Sequence, residues 1–199
     1  MKLDIHQITG LILAGGRGTR MGGVDKGLRE FRGAPMALHA IMRLSPQVGT
    51  LMINANQNIG PYESFGLPVW PDEMGGFEGP LAGVQTGLIH CETDYMVTAP
   101  CDSPFLPEDL VARLGDALAE QDAEIAVAVT GEGETRQPHP VFSLMKTSLL
   151  PHLTAYLQGG GRKIETWYRS LRFVEVVFPD EAGFRNINTL EELRRFEPD

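Results

Sequence analysis

The sequence predicts a single α/β domain in three layers, with helices on both faces of a mostly parallel sheet. The main observation is alternation: short Val-, Ile- and Leu-rich runs are separated by helical patterns of about 10–15 residues, the signature of βαβ units. Size agrees with this, because a chain of 199 residues with 42% hydrophobic content buries roughly 70% of its unfolded surface and needs no disulfide or metal to hold a core. Finally, no low-complexity segment, internal repeat or linker interrupts the chain, so residues 1–199 are expected to form one domain.

The elements follow in order. Gln7–Ala14 reads as a strand centred on Leu11-Ile12-Leu13 and ending in Gly15-Gly16. Pro35–Leu44 reads as a helix with Pro35 in its first turn, where a missing N–H costs nothing. Leu51-Met52-Ile53 and Leu67-Pro68-Val69 are short apolar runs; the first is too short for periodicity to decide, and the proline of the second favours an edge or an end. Gly79-Pro80 opens an amphipathic helix with Leu81, Val84, Leu88 and Ile89 on one stripe. Tyr95–Ala99 is the next strand and exits through Pro100-Cys101-Asp102-Ser103-Pro104. Pro107–Gln121 carries Leu110, Val111, Leu114 and Leu118 at helical spacing. Ile125–Val129 is a buried-looking strand, Val141–Leu144 a weaker one and Phe173–Phe178 a stronger one. Ile164, Trp167, Tyr168 and Leu171 share a helical face, with Trp167 and Tyr168 expected in the core. Thr189-Leu190-Glu191-Glu192 is a capping box that starts a final helix. In such a Rossmann-like sheet, ligands bind beyond the carboxyl ends of the strands where strand order reverses. The first loop, the Asn54 segment and the Asp102 segment all follow predicted strands and are expected to meet there.

Charge narrows the function. Lys plus Arg total 17 against 26 Asp plus Glu, a net charge of -9, which argues against a general nucleic-acid binder. Between Leu11 and Pro35, however, Arg17, Arg20, Lys26, Arg29 and Arg32 face only Asp25 and Glu30, a local +3. Cys91 and Cys101 fit neither a CxxC pair nor a zinc spacing, and two scattered thiols point to a reducing compartment. The polar Met1–His6 start lacks a signal-peptide core, and no apolar run has the length of a membrane span, so a cytoplasmic location is expected.

The basic island is also a glycine-rich loop. Gly15, Gly16, Gly18, Gly22 and Gly23 place five glycines in nine positions, which lets backbone N–H groups converge into an anion nest beside full positive charges. It is not a dinucleotide fingerprint, because Gly16-Arg17-Gly18-Thr19-Arg20 is followed by Met21. It is not a P-loop, because Lys26 lies between Asp25 and Gly27.

The segment Leu13-Ala14-Gly15-Gly16-Arg17-Gly18-Thr19-Arg20-Met21, with a lysine downstream, resembles the opening of the nucleotidyltransferase superfamily. Gly22-Gly23-Val24-Asp25-Lys26-Gly27 narrows the resemblance to the bacterial molybdenum cofactor guanylyltransferase family. So do Ile53-Asn54-Ala55-Asn56, Gly79-Pro80-Leu81-Ala82-Gly83, Pro100–Pro104, His139-Pro140 and Asn186-Ile187-Asn188-Thr189. The resemblance implies transfer of GMP from GTP to the terminal phosphate of molybdopterin-bound molybdenum cofactor. It implies magnesium held by Asp102, and Leu13, Ala14, Gly15, Lys26, Asn54, Asp72 and Asp102 around GTP.

Nucleotidyl transfer brings two anions together, so it needs alignment and charge neutralisation more than a covalent protein intermediate. Magnesium takes oxygen ligands, often one or two carboxylates plus substrate phosphates, and Asp102 at a strand end suits that role; the plain alternative is a helix-capping aspartate. Lys26 would neutralise phosphate charge and Arg20 the developing charge or leaving pyrophosphate, unless both are solvated surface residues. The backbone of Gly15, Gly16 and Gly23 would wrap the triphosphate. Asp72 could accept from guanine donors, or be only a turn residue in Pro71-Asp72-Glu73. On the acceptor side, Gly79 and Gly83 flank a helix start that favours an anion, or else serve close packing. Arg162 and Lys163 either hold the pterin phosphate or follow a hinge. Asn186 and Asn188 resemble substrate-side asparagines, or lead into the Thr189 cap. Gln137-Pro138 replaces the acidic residue expected before His139-Pro140. The five histidines show no zinc spacing, and Ser103 lacks a nucleophile elbow.

Two rival readings stay open. One is a CTP-dependent cytidylyltransferase for the same acceptor, or a sugar-phosphate nucleotidyltransferase. The other is a non-catalytic nucleotide-binding protein that delivers the cofactor. Contact with other cofactor-handling proteins is compatible with each of them.

Overall fold

The computed structural model describes residues 3–15, 25–74 and 79–187. In chain order the elements are β1 (Ile8–Leu13), the ribbon β2 (Glu30–Phe31) and β3 (Ala34–Pro35), α1 (Met36–Leu44), β4 (Thr50–Asn54), α2 (Ile59–Glu63), β5 (Val69–Trp70), α3 (Pro80–His90), β6 (Tyr95–Pro100), α4 (Leu110–Glu120), β7 (Ile125–Thr130), β8 (Gln137–Lys146), α5 (Leu150–Gln158), α6 (Ile164–Tyr168) and β9 (Phe173–Phe178). The final helix expected from Thr189 lies outside the described residues.

The main sheet has seven strands in the order β5-β4-β1-β6-β8-β7-β9. All its pairings are parallel except those of β8, which runs antiparallel to both neighbours. Central strands β1 and β7 are buried along their whole length, which is why they read as unbroken apolar runs. Successive β1 side chains feed opposite cores. Ile12 lies in one core with Ala37, Ala40, Ile41 and Leu44 of α1 and Leu110, Leu114 and Leu118 of α4. Leu11 and Leu13 pack with Leu81, Val84 and Leu88 of α3, Leu153 and Leu157 of α5, and Trp167 and Tyr168 of α6. The three-layer αβα expectation therefore holds, and Trp167 and Tyr168 are fully buried core residues.

Local differences have physical causes. Pro35 closes β3 and caps α1 instead of entering its first turn. Ile89 is 44% exposed, because one helical step beyond Leu88 rotates it off the packed stripe. Val141–Leu144 belongs to a ten-residue strand. Its pairing with β6 covers only Ser143–Lys146, while Pro138 and His139 pair with β7 beyond a register shift at Val127/Ala128. Prolines without N–H donors are thereby kept off the doubly paired stretch. Nothing in the local pattern announces α5, because Pro151 and His152 interrupt it. The proline falls in the first turn, where it is tolerated, and His152 Nδ1 accepts the Trp167 indole N–H at 3.1 Å.

The register places Leu13 opposite Asn54 of β4 and Pro100 of β6. The chain leaves β1 for β4 on one side and later returns to its other side as β6. The strand order thus reverses at β1, and a crevice at its carboxyl end follows.

Helix α3 crosses this region on glycines. A Cβ at Gly87 would overlap Leu11 and crowd the Met96 sulfur, both fully buried. Gly87→Ala gains helix propensity of about 1 kcal/mol, but overpacking a filled core costs about 1–3 kcal/mol. Urea denaturation is expected to show net destabilisation with an unchanged m-value.

Candidate active site

Four strand ends, those of β1, β4, β5 and β6, are stitched together at the crevice. The Ala14 N–H donates to the Asn54 carbonyl at 2.8 Å, Cys101 N–H to the Leu13 carbonyl at 3.1 Å, and Ala55 N–H to the Trp70 carbonyl at 3.1 Å. Leu13, Ala14, Gly15, Asn54, Asp72 and Asp102 are brought to one edge in this way. Gly16, Arg20, Gly23 and Asn188 lie outside the described residues.

On the β4–β5 side, one carboxylate organises two amides. Asn54 Nδ2 donates to Asp72 Oδ1 and Asn56 Nδ2 to Asp72 Oδ2, each at 2.9 Å. The Asp72 backbone N–H returns a bond to Asn56 Oδ1 at 2.8 Å. Asn54 is almost wholly buried, so Asp72 balances a polar group that water does not reach. Both Asp72 oxygens therefore carry protein donors, and Asp72 is more than a turn residue. Space around Asn54 is tight. A Cβ on Gly15 would come within 3.0 Å of both the Asn54 and Asn56 amides, and one on Gly83 would overlap Asn54. Gly79 is glycine for another reason: its φ of 81° is left-handed, while a Cβ there would meet open space.

On the β6 side, Asp102 is 8% exposed and faces Lys26, Nζ to Oδ2 at 3.5 Å. Burial pushes the Asp102 carboxyl up, and Lys26 only partly pulls it back. Next to it, burial first and then the Asp102 charge push the Cys101 thiol well up. Cys101 thus stays neutral and adds no second anion. Among the described residues no group of three or more His, Cys, Asp or Glu side chains could cage a metal. A single buried carboxylate short of positive charge suits a hard cation that takes its remaining ligands from phosphates and water.

Lys26 is held by its own turn. Asp25 Oδ1 accepts the Gly27 N–H at 3.1 Å and the Tyr62 hydroxyl at 2.6 Å, and Asp25 Oδ2 accepts Asn58 Nδ2 at 3.1 Å. Burial, the nearby Cys101 and the Asp25 bond drive the Tyr62 phenol far above its ordinary range, so it stays a donor.

The chain's later segments reach the same edge. Ile187 N–H donates to the Asp102 carbonyl at 3.0 Å, and the Ser103 hydroxyl bonds Asn186 Oδ1 at 2.5 Å. Asn186 follows the turn Glu181–Phe184, whose Phe184 stacks on His139 with centroids 4.8 Å apart. His139 itself bonds Thr130 Oγ1 at 2.8 Å, so the histidine-proline segment supports the Asn186 turn. Arg162 and Lys163 are anchored on α5. Arg162 Nη1 donates to the Leu157 and Gly161 carbonyls at 2.8 and 2.7 Å, and the Lys163 carbonyl accepts the Tyr156 hydroxyl. Asn56, Asp25, Asn58 and Tyr62 are site-building residues that sequence reasoning passes over. The Asn54-Ala55-Asn56 alternation and the Asp25-Lys26 adjacency are legible signals for the first two, whereas Tyr62 has none.

With this geometry in place, the comparisons become interpretable. The sequence model described as MobA-like NTP transferase domain matches residues 10–173. The chain belongs to the MobA-like NTP transferase family. The molybdenum cofactor guanylyltransferase of Cupriavidus taiwanensis is 62% identical over 191 residues, 96% of each chain. That of Ralstonia nicotianae is 61% identical over 198 residues, 97% of each chain. In three dimensions, molybdopterin-guanine dinucleotide biosynthesis protein A from Archaeoglobus fulgidus superposes with a TM-score of 0.74 at 22% identity, covering 94% of this chain and 95% of that one. A 4-diphosphocytidyl-2C-methyl-D-erythritol synthase from Anaerococcus prevotii gives 0.76 at 12% identity, covering 96% and 97%. These two likenesses establish the shared fold. The stretch matched to the MobA-like domain contains Lys26, Asn54, Asp72 and Asp102 and ends before Asn186.

The Asp72 network has a direct consequence. Asp72→Ala removes one acceptor from each of the Asn54 and Asn56 amides, which then keep the Trp70 carbonyl at 3.1 Å and the Gly15 carbonyl at 3.5 Å. It is expected to destabilise the ligand-free protein by about 1–3 kcal/mol. Chemical denaturation without nucleotide checks this; unchanged stability would mean that Asp72 serves the ligand alone.

Proposed function

We propose that this MobA-like transferase moves GMP from GTP to the terminal phosphate of molybdopterin-bound molybdenum cofactor, releasing pyrophosphate and a guanine dinucleotide cofactor. The observation that carries the reading is the pairing of buried Asp102 with half-buried Lys26 at the strand-order switch point. The names of relatives 52–62% identical over nearly the whole chain support the choice of nucleotide and acceptor.

The chemistry is an in-line displacement. An oxygen of the acceptor phosphate forms a bond to the α-phosphorus of GTP, the bond from that phosphorus to the bridging oxygen breaks, and pyrophosphate leaves with the electron pair. Asp102 would hold magnesium together with substrate phosphates; when bound, the ion supplies charge neutralisation on the triphosphate. Lys26 offsets phosphate charge from the protein side, and Arg20 is assigned to the leaving pyrophosphate. The backbone of Leu13, Ala14, Gly15, Gly16 and Gly23 wraps the nucleotide, with Asn54 and Asp72 lining its base or ribose side. Gly79, Gly83, Arg162, Lys163, Asn186 and Asn188 are assigned to the acceptor. For Arg162, the backbone bonds that hold its guanidinium at the α5 terminus favour a preset contact over a long-range search. Both cysteines are free, and no helix among the described residues is long and apolar enough to cross a membrane; these facts support a cytoplasmic location.

Pyrophosphate release with molybdenum cofactor and GTP, CTP, ATP or UTP tests the proposal. GTP is expected to be used preferentially. Turnover with CTP alone would make the chain a cytidylyltransferase, and nucleotide binding without release would favour a delivery protein. Asp102→Ala is expected to lower kcat by about 10²–10³-fold, the scale of losing an aligned electrostatic group, and Lys26→Ala to weaken GTP binding or turnover.

Asp102→Asn gives a second readout. A carboxyl pushed up by folding makes its ionised form costly above the unfolded value, so stability falls as pH rises from about 4 through the folded pKa. At pH 7, Asp102→Asn is therefore expected to stabilise the ligand-free protein while lowering turnover on the scale of Asp102→Ala. Parallel thermal melts and activity assays check both effects.

A further inference from the structure

Lys26 reaches Asp102 on a long stem, and its backbone is fixed from three sides. The Gly27 carbonyl accepts the Ala37 N–H of α1 at 2.8 Å, and Arg29 N–H closes the turn on the Lys26 carbonyl at 3.2 Å. The third tie is Asp25, whose carboxylate collects the Gly27 N–H, the Tyr62 hydroxyl and the Asn58 amide. Two of those donors belong to α2 and its cap. Asn58 adopts a left-handed conformation at φ 53°, ψ 37° as α2 begins, and Tyr62 is fully buried.

The Tyr62 hydroxyl lies directly under Gly27. A Cβ on Gly27 would overlap that hydroxyl and come within 3.0 Å of the Cys101 sulfur. One phenol thus sits where the Lys26 turn meets the residue that precedes Asp102. Packing alone does not call for a hydroxyl in a buried position, since phenylalanine fills the same space without a polar group to satisfy.

We propose that Tyr62, acting through Asp25, is a positioning residue that sets the separation of Lys26 from Asp102 and so the seat for the nucleotide phosphates. This rests on the functional reading above. Tyr62 touches neither substrate nor reacting atoms in this scheme. It locks the turn so that the ammonium arrives preset, and a displacement of about 1 Å in such a group costs up to 10²-fold in rate.

The test is a double-mutant cycle between Tyr62→Phe and Lys26→Ala, read as kcat/KM for GTP and as GTP affinity by calorimetry. Tyr62→Phe is expected to lower kcat/KM about tenfold in the native background and to have almost no further effect in Lys26→Ala, because its action passes through Lys26. Independent, multiplying losses would overturn the proposal and make Tyr62 a fold-stabilising residue only. If Tyr62→Phe does not fold, Asp25→Asn in the same cycle decides between the same two outcomes. The wild type keeps the two ideas apart. Absence of pyrophosphate release with intact GTP binding fails the functional reading, while the cycle measured on GTP affinity still judges Tyr62. Absence of GTP binding overturns both.

Discussion

A carboxylate buried at the end of β6, with an ammonium 3.5 Å away, sets the terms for everything around it. Taking an ion out of water is costly, and in such a pair desolvation can exceed the mutual attraction. Here it does, since Asp102 is pushed up despite Lys26. In the ligand-free protein the Asp102 charge is therefore only partly compensated by Lys26. A site in that condition favours a cation that arrives with its own phosphate counter-charge, and it gives up some stability of the empty protein for that preference.

The remainder of the crevice holds that pair aligned and accessible. Parallel strands deliver Leu13, Asn54 and Pro100 to the same level, so their following residues emerge together. Glycines at 15, 27 and 83 let backbone approach side chains that are already committed to hydrogen bonds. Two aspartates other than Asp102 act as organisers: Asp72 gathers Asn54 and Asn56, and Asp25 gathers Gly27, Asn58 and Tyr62. These two carboxylates thus have their oxygens committed to protein donors.

Much of this was legible in sequence because the relevant signals are local. Strands buried on both faces read as apolar runs, and Ala14-Gly15, Asn54 and the Asp102 turn lie at the ends of such runs, so the strand-end rule predicted their meeting. Signals that depend on distant partners were not legible. The antiparallel course of β8 is set by neighbours on both sides, and α5 is obscured by Pro151 and His152. Tyr62 looks like an ordinary aromatic until folding places it under Gly27. Arg162 and Lys163 read as a basic pair, but only the fold shows that Nη1 of Arg162 is tied to carbonyls at the end of α5.

The bond from Ile187 N–H to the Asp102 carbonyl also bears on how the chain acquires its site during synthesis. β1, β4, β5 and β6 and the helices between them lie in the first half of the sequence and are made first. The backbone that carries Asp102 receives this support only when residue 187 is in place, after β9 has added to the far edge of the sheet. Non-local closures of this kind are slow steps. The strand-end framework therefore precedes its final fastening, and the crevice matures last, when nearly the entire chain has been made.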